Sequence, residues 1–380
     1  DAADSNTITH SSNAVSYWAD KSGKGNHATA TSGQEPTTGT RTINNVNTLD
    51  FDGSEALLSS NFALNNTHSI FAVVSSDDIG YRRILSYESY YYLGNGSGNN
   101  NLASFYGSGN WYDADTNTPA SSLASPTVIG LLSDGTNATP YYNGTALNSK
   151  SSNMGSSAPA GMLIGKHVNN GQFWDGQVAE IIVFGSNLAD ADRKKIEGYL
   201  AQKWGISMGT VLTNSSTPVE ATSSNWLVSH KPSDALDGNT GTKYYNADGP
   251  GEGLYLYTGP KGVTGFSVTS ADHSPRDPTT YTLYGSDDNV TYTQISSGSV
   301  PAFTATYQKQ TVTFSNTSIY SKYKIIFPAL SGGSNQALAF AEIELLGYES
   351  PLRQVPVSSA SLGQKPVGTF TGALSGLRPG

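Results

Sequence analysis

The sequence predicts an all-β protein of two domains with a single short helix. Charged residues make up only 13% of the 380 positions, whereas Gly occurs 41 times and Tyr 22 times. This composition is typical of short strands joined by polar turns. Along most of the chain, apolar residues either alternate with polar ones or form short runs. Convincing helical periodicity is confined to the end of the stretch from Phe173 to Ile206, so helical folds are disfavoured.

The helix is predicted from the spacing of its core residues. One face carries Ile196, Tyr199, Leu200, Lys203 and Trp204. Asp190 and Asp192 suit the positive end of the helix dipole, and Gly205 suits the left-handed conformation that ends a helix. The charges and the stop signal therefore agree with the periodicity.

Several strands are predicted before this helix. In TLDFDG, Leu49 and Phe51 alternate with aspartates, and SIFAVVSS is an apolar run suited to the interior of a sandwich. In YYNGTAL, Asn143-Gly144 supplies the positive φ angles of a tight hairpin turn. Glu180 lies in the apolar strand QVAEIIVFG, where we expect it to tie the sheet to a loop rather than to act as an acid.

The charge pattern and the missing motifs exclude several function classes. The net charge of −9 and the lack of a Lys/Arg cluster disfavour nucleic-acid binding. No apolar run is long enough to span a membrane. The absence of Cys excludes disulfides, thiol catalysis and thiolate metal sites, and it is compatible with export. The chain starts at Asp1 without Met, which suggests a processed chain or an excised fragment.

Catalytic patterns are also lacking, so we expect no enzyme activity. HExxH and GxSxG do not occur, and the six histidines are scattered. Glycoside hydrolysis ordinarily uses paired carboxylates, and the nearest local match is Glu342 with Glu344. These residues end a domain, a setting that favours a metal ligand and a surface charge over an acid–base pair.

The first half of the chain resembles a known family. The segments WADKSGKGNHAT, TLDFDG, YYNGTAL, LIGKH and Phe173–Ile206 look like the laminin-G-like, concanavalin A-type domains of bacterial and phage surface proteins. The resemblance implies a β-sandwich of two curved antiparallel sheets, a jelly roll, over residues 1–208, closed by the helix. The family's apolar first strand is missing before Asp1, which would leave a sheet edge open, and Ala189 stands where a helix-capping Ser or Thr is expected.

The second half resembles another family. ALDGNTGT, YTLYGSDDNVTY and AEIELLGY are similar to discoidin-like domains of the coagulation factor C-type, a group that includes carbohydrate-binding modules. The resemblance implies a second β-sandwich in tandem over residues 221–348. Residues 209–220 are expected to form a linker or a domain-entry strand. Residues 349–380, rich in Pro, Gly and Ser, are expected to be a flexible tail or an ordered arm packed on a neighbour.

A structural calcium site is the metal hypothesis. Ca²⁺ prefers six to eight oxygen ligands, and the tight turn after Leu236 offers Asp237, Asn239 and Thr242. The discoidin-like resemblance implies a site where Asp237 meets Glu342 of the last strand, with Ala235 contributing its carbonyl. The alternative is a turn closed by side-chain hydrogen bonds without metal.

Two groups of residues are candidates for ligand binding. In the loop SADHSPRDPTTY, Arg276 can bind a carboxylate or a sugar hydroxyl, with His273 and Asp277 completing a polar set. The alternative is an Arg276–Asp277 pair that only braces the loop.

The second candidate group lies in the first domain, where aromatic faces stand beside dense polar groups. It comprises Tyr91, Trp111, Tyr112 and Asp113. The alternative is a pair of ordinary strands in which half of these residues belong to the core.

Taken together, the sequence predicts a non-catalytic binding or adhesion protein that is extracellular or on a cell surface. The expected ligand is surface carbohydrate, recognised through sites built from loops. The alternatives are a structural component of a virion, tail or surface filament, in which the domains assemble with copies of themselves, and an accessory region of a larger polysaccharide-active enzyme.

Overall fold

The computed structural model describes the chain at residues 1–59, 64, 66–78, 80, 82–87, 91–94, 104–107, 110–113, 123–151, 161–167 and 171–349. The chain divides into two compact units, the first including Asp1–Leu200 and the second beginning at Ala201. β-Strands dominate the described residues, with a single α-helix, which confirms the all-β prediction. In this part of the chain, no helix combines the length and apolarity needed to cross a membrane.

The strands of the first unit form one hydrogen-bonded system. In chain order they are β1 (Ile8–Ser11), β2 (Ala14–Trp18), β3 (Ala28–Ala30), β4 (Thr37–Ile43), β5 (Val46–Asp52), β6 (Leu57–Ser59), β7 (Thr67–Ser76), β8 (Arg83–Tyr87), β9 (Tyr91–Gly94), β10 (Ser104–Gly107), β11 (Asn110–Asp113), β12 (Thr127–Asp134), β13 (Asn137–Tyr142), β14 (Thr145–Ala146), β15 (Lys150–Ser151), β16 (Met162–Ile164) and β17 (Asp175–Phe184).

These strands pack as a jelly-roll-like sandwich. One run of antiparallel pairs is β4–β5–β17–β7–β12–β13, and another is β3–β6–β16–β8–β9–β10–β11. Strand β7 is the predicted apolar run, and all of it except its first residue is buried, as expected for a strand covered on both faces. The apolar core includes Trp18, Phe51, Val74 and Trp174.

Local turn chemistry agrees with the sequence patterns. Asn143 and Gly144 have φ angles of 44° and 82°, and β13 pairs with β14 around them, which confirms the predicted hairpin. Gly165 has φ 90°, and a Cβ there would lie 2.4 Å from the ring of Phe51. Only glycine therefore fits this contact with the core.

The helix α1 (Asp190–Trp204) lies where the periodicity predicts it. Ile196, Leu200 and Trp204 are fully buried, and Gly205 has φ 65°, as a left-handed helix stop requires. The hydroxyl of Tyr199 donates to Oε1 of the buried Glu180 at 3.0 Å. Glu180 thus ties strand β17 to the helix.

The second unit is a sandwich built around one long strand. Its strands are β18 (Thr210–Val211), β19 (Val219–Ala221), β20 (Tyr244–Asn246), β21 (Gly253–Thr269), β22 (Thr280–Ser286), β23 (Thr293–Ser299), β24 (Lys309–Thr313), β25 (Tyr320–Ile326), β26 (Leu338–Phe340) and β27 (Glu342–Glu349). The first part of β21 pairs with β19 and β25, and its last part pairs with β24 and β27. The core includes Tyr244, Phe266, Tyr323, Phe327 and Phe340.

The predicted domain boundaries stay a prediction, but the structure describes the residues of the predicted linker. Within residues 209–220, Thr210–Val211 pairs with β27, and the strand that starts at Val219 pairs with β21. The segment therefore contributes strands to the second unit. The predicted tail at residues 349–380 lies outside the described residues except for Glu349.

Candidate functional site

Backbone pairing brings two loops to one end of the second unit. The loop before His230 lies against β20, because the amide of Tyr245 donates to the carbonyl of His230 at 3.2 Å. The loop at Ser274–Arg276 is one turn of 3-10 helix with a proline near its start. The amide of Gly332 donates to the Pro275 carbonyl at 2.9 Å, so this turn is attached to the chain segment before β26.

The side chains of His230, Tyr245 and Arg276, called the arginine cluster below, meet at this end. The guanidinium carbon of Arg276 lies 5.0 Å from the ring centroid of Tyr245. The ring centroids of His230 and Tyr245 are 6.5 Å apart at an interplanar angle of 52°. All three residues are half-buried, so each is held by the fold and still reaches solvent.

Arg276 has hydrogen-bonding capacity that the described residues do not satisfy. Its Nε is buried without a hydrogen-bond partner, and no carboxylate of the described residues forms an ion pair with the guanidinium. Asp272, which is close in sequence, is instead paired with Lys243 at 2.5 Å, and this pairing lowers the pKa of Asp272. A buried donor without a partner is costly to the folded state.

The predicted trio of His273, Arg276 and Asp277 separates in the structure. Asp277 is only 3% exposed, and its Oδ1 is buried without a partner. Burial raises the pKa of Asp277 to about 7. His273 is exposed and its side chain does not cap the 3-10 turn. Only Arg276 therefore joins the arginine cluster, and the described structure shows no Arg276–Asp277 brace.

The predicted metal ligands come together at a different turn. Asp237 Oδ2 lies 2.8 Å from the Thr242 hydroxyl, and Asp237 Oδ1 accepts the amide of Asn239 at 2.8 Å. Burial raises the pKa of Glu342 to about 7, and the adjacent Asp237 carboxylate adds to the shift. Although burial opposes it, the Thr242 hydroxyl and the Asn239 amide leave the pKa of Asp237 lowered. Ala235 is fully buried where the preceding 3-10 turn ends.

This donor set suits a hard cation. Among the described residues, Glu342 Oε1 is buried without a hydrogen-bond partner, and it belongs to a carboxyl group that faces the Asp237 carboxylate. A divalent cation between the two carboxylates would give the buried oxygen a partner and would reduce the repulsion between the two negative charges. Within the described ranges, no group of three or more His, Asp or Glu side chains is arranged around a metal position. A cation here would therefore rely on hydroxyl, amide and carbonyl oxygens as well.

The candidate residues of the first unit are described only as backbone. Tyr91 starts β9, and Trp111, Tyr112 and Asp113 lie on β11, which pairs with β10. Their side chains lie outside the described part of the structure. The hypothesis that they bind ligand stays a prediction.

The sequence prediction missed His230 and Tyr245. Both stand in SHKPSDALDGNTGTKYYN, the segment that carried the discoidin-like resemblance. The usable signal was a histidine just before a Pro-containing turn and a pair of tyrosines just after it. Neither pattern indicates that the fold brings these two residues together with Arg276.

Comparison with known proteins supports the fold of this second unit. The family described as the F5/8 type C domain matches residues 212–343, so this part of the chain carries an F5/8 type C, discoidin-like domain. No such family match extends to the first unit, and no curated protein matches the chain.

Solved structures similar to the chain include two from Clostridium perfringens and one from Geobacillus stearothermophilus. CpGH89CBM32-5 in complex with GalNAc-β-1,3-galactose is 18% identical, with 36% of this chain and 100% of that chain covered and a TM-score of 0.32. The family 32 CBM of NanJ in complex with galactose is 21% identical, with 36% and 98% covered and a TM-score of 0.30. Domain 4 of AbnA, a GH43 extracellular arabinanase, in complex with arabinotriose is 15% identical, with 42% and 79% covered and a TM-score of 0.36.

Proposed function

We propose that the protein is a non-catalytic carbohydrate-binding protein of the extracellular space or a cell surface, and that it binds sugar through the arginine cluster. The observation that carries the proposal is the half-buried Arg276, which stacks on Tyr245 and leaves Nε without a partner. The discoidin-like family match supports the same ligand class, because that family includes carbohydrate-binding modules.

The chemistry of the cluster suits a sugar. Stacking on Tyr245 restricts the guanidinium plane, so the N–H groups of Arg276 point in fixed directions toward hydroxyl or carboxylate oxygens. The imidazole of His230 adds a nitrogen that donates or accepts according to its tautomer. The Tyr245 ring, contacted by both residues, offers an apolar surface to sugar C–H groups. None of these roles requires a bond to be broken.

A glycan array with matched variants tests the proposal. We expect the full chain to bind a subset of glycans and Arg276→Ala to lose the part of that binding that depends on the arginine cluster. Lys261→Ala is the matched control, because it removes a cation of the same unit that is paired with Glu349 and not part of the cluster. Unchanged binding by Arg276→Ala, or no glycan binding by the folded wild-type chain, would contradict the proposal.

We also propose a structural Ca²⁺ bound by Asp237 and Glu342, with oxygens of Ala235, Asn239 and Thr242. The partnerless Glu342 Oε1 beside a second carboxylate supports this set. Bound Ca²⁺ would hold the turn against the start of β27 and would take no part in a reaction.

Chelation tests the calcium proposal. Because a ligand bound only to the folded state stabilises it, Ca²⁺ at 100 times its Kd would add about 2.7 kcal/mol, and EDTA would lower the melting temperature accordingly. Asp237→Asn should melt at the chelated temperature with or without Ca²⁺. Identical melting curves for the wild-type chain in Ca²⁺ and in EDTA would rule the site out.

For the first unit we propose a laminin-G-like jelly roll in which Tyr91, Trp111, Tyr112 and Asp113 form a second sugar-binding surface. The antiparallel sandwich topology supports the fold, and the sequence pattern of aromatic and acidic residues supports the site. Trp111→Ala should then remove the glycan binding that Arg276→Ala leaves. If the Arg276→Ala chain binds no glycan, this second surface is excluded.

A further inference from the structure

A separate aromatic surface lies on the outer face of one sheet of the second unit. Tyr255 on β21 is the cross-strand partner of Lys324 on β25, which in turn is the partner of Tyr284 on β22. Neighbouring strands are about 4.8 Å apart, so this row spans about 10 Å. Two residues further along β21 and β25, Tyr257 and Lys322 form the next pair.

The face is defined by these residues together with Tyr292, and we call it the tyrosine–lysine face. It comprises Tyr255, Tyr257, Tyr284, Tyr292, Lys322 and Lys324, all half-buried. The intervening residues on the same strands, such as Leu256, Leu283 and Ile325, are fully buried in the core. Strand alternation therefore turns a continuous tyrosine and lysine surface toward solvent.

The rings and cations of this face contact one another. The Nζ of Lys324 lies 4.5 Å from the ring centroid of Tyr284 and 5.0 Å from that of Tyr292. The Tyr255 and Tyr292 rings are 5.7 Å apart, and the Tyr292 hydroxyl donates to Asn289 Oδ1 at 2.6 Å. Lys322 Nζ is 5.8 Å from the Tyr257 centroid. The side chains are thus positioned before any ligand arrives.

The charges of the face are not compensated within it. Neither lysine forms an ion pair with a carboxylate of the described residues, although seven other lysines among those residues do. The carboxylates at its margin are already engaged, because Glu220 accepts the Tyr257 hydroxyl and Asp288 accepts the amides of Val290 and Thr291. An exposed cation–π contact is worth only about 0.5–1 kcal/mol and leaves the ammonium charge available.

We propose that the tyrosine–lysine face binds a chain of acidic polysaccharide, at a site separate from the arginine cluster. Carboxylate or sulfate groups of the ligand would pair with Lys322 and Lys324, and its sugar rings would lie against the tyrosines. A neutral polysaccharide would leave both ammonium groups unused. Because the whole protein carries a net charge of −9, an acidic chain is repelled except where unpaired cations gather, and two such cations stand together on this face.

Affinity electrophoresis of the full chain through gels that contain polygalacturonate tests the proposal, with neutral galactan as the matched gel. We expect retardation by polygalacturonate that weakens with added salt. Lys324→Gln and Tyr284→Ala should each weaken binding about tenfold. Lys309→Gln, which removes a cation paired with Glu344, should bind as the wild type does.

Several results would overturn the proposal. These are equal retardation by galactan, no retardation by polygalacturonate, or loss of binding in Arg276→Ala instead of Lys324→Gln. A concentration-dependent mass that Lys324→Gln abolishes would assign the face to a second copy of the chain. Unchanged melting temperatures of the variants exclude misfolding as a cause, and failure here would leave the glycan-array test of the arginine cluster unaffected.

Discussion

Each unit places an arginine over a tyrosine ring. The two arginines differ in whether the guanidinium also forms ion pairs with carboxylates. In the first unit, the Arg193 guanidinium lies 4.2 Å from the Tyr141 ring centroid, with its side chain only 4% exposed. It forms ion pairs with Asp190 and with the buried Glu197. In the second unit, Arg276 stacks at 5.0 Å on Tyr245, is half-buried, and has no carboxylate partner among the described residues.

The difference separates a structural arginine from a binding arginine. A buried charge is tolerated only when it is paired and hydrogen-bonded, and Arg193 meets that condition within its own helix. Arg276 keeps its stacking contact, and its Nε has no hydrogen-bond partner among the described residues. Stacking on an aromatic ring therefore does not distinguish a binding arginine from a structural one. The distinguishing feature is whether the guanidinium N–H groups already have partners within the protein.

The strongest way to break this comparison is to remove Arg193. Arg193→Ala leaves Glu197, itself 2% exposed, as a buried acid without its cation. Losing one partner of a buried pair costs about 3–5 kcal/mol, so we expect a loss of that size in the free energy of unfolding, measured by urea denaturation.

A double variant is the control for this change. Arg193→Met combined with Glu197→Leu should recover most of the lost stability, because replacing both charges with apolar groups removes the unpaired acid. Glycan binding that depends on Arg276 should be the same in both variants. A stability loss below about 1 kcal/mol in Arg193→Ala would show that Arg193 is not structural in this sense.

A second prediction uses the buried acid beside Arg276. Asp277 has a pKa of about 7 in the folded chain and about 3.9 when unfolded, so the unfolded state releases its proton first as pH rises. The wild-type chain should therefore lose stability from about pH 4 to about pH 7. Asp277→Asn should remove this loss. Relative to their difference at pH 4, the variant should be on the order of 4 kcal/mol more stable than the wild type at pH 8.

The measurement is urea denaturation of both chains across pH 4 to 8. Asp234→Asn is a suitable control, since Asp234 is an acid of the same unit paired with Lys231 at the surface. Parallel stability curves for Asp277→Asn and the wild type would mean that Asp277 is not held protonated by burial.

The smallest effect concerns the stability of the Arg276 variant. Without an ion pair to lose, Arg276→Ala should give up only its stacking on Tyr245, about 0.5–1 kcal/mol. The same urea titration measures this. A loss as large as that of Arg193→Ala would place Arg276 among the structural residues and erase the contrast between the two units.

The parts of the fold that depend on local patterns were predictable from the sequence. The spacing of Ile196, Leu200 and Trp204 predicted the buried face of α1, and Asn143-Gly144 predicted a hairpin. The meeting of Asp237 with Glu342 was anticipated through the family resemblance, not through spacing. These features depend on turn chemistry, periodicity or resemblance.

The arginine cluster was predicted only in part, because its members are brought together by long-range pairing. Tyr245 lies on strand β20, which pairs with β26 near the end of the unit, and this pairing brings its ring to Arg276. Asp277 was expected to complete a polar binding set with Arg276 or to pair with it. It is buried because the next residue, Pro278, bridges to Leu330, and no local pattern signals that contact.

Strand β21 carries a consequence for the dynamics of the second unit. Its backbone contributes to pairings with β19, β24, β25 and β27, so none of these four strands can leave the sheet without breaking bonds to this one segment. The amide protons of β21 should be among the slowest in the chain to exchange with deuterated solvent, at a rate set by global rather than local fluctuations.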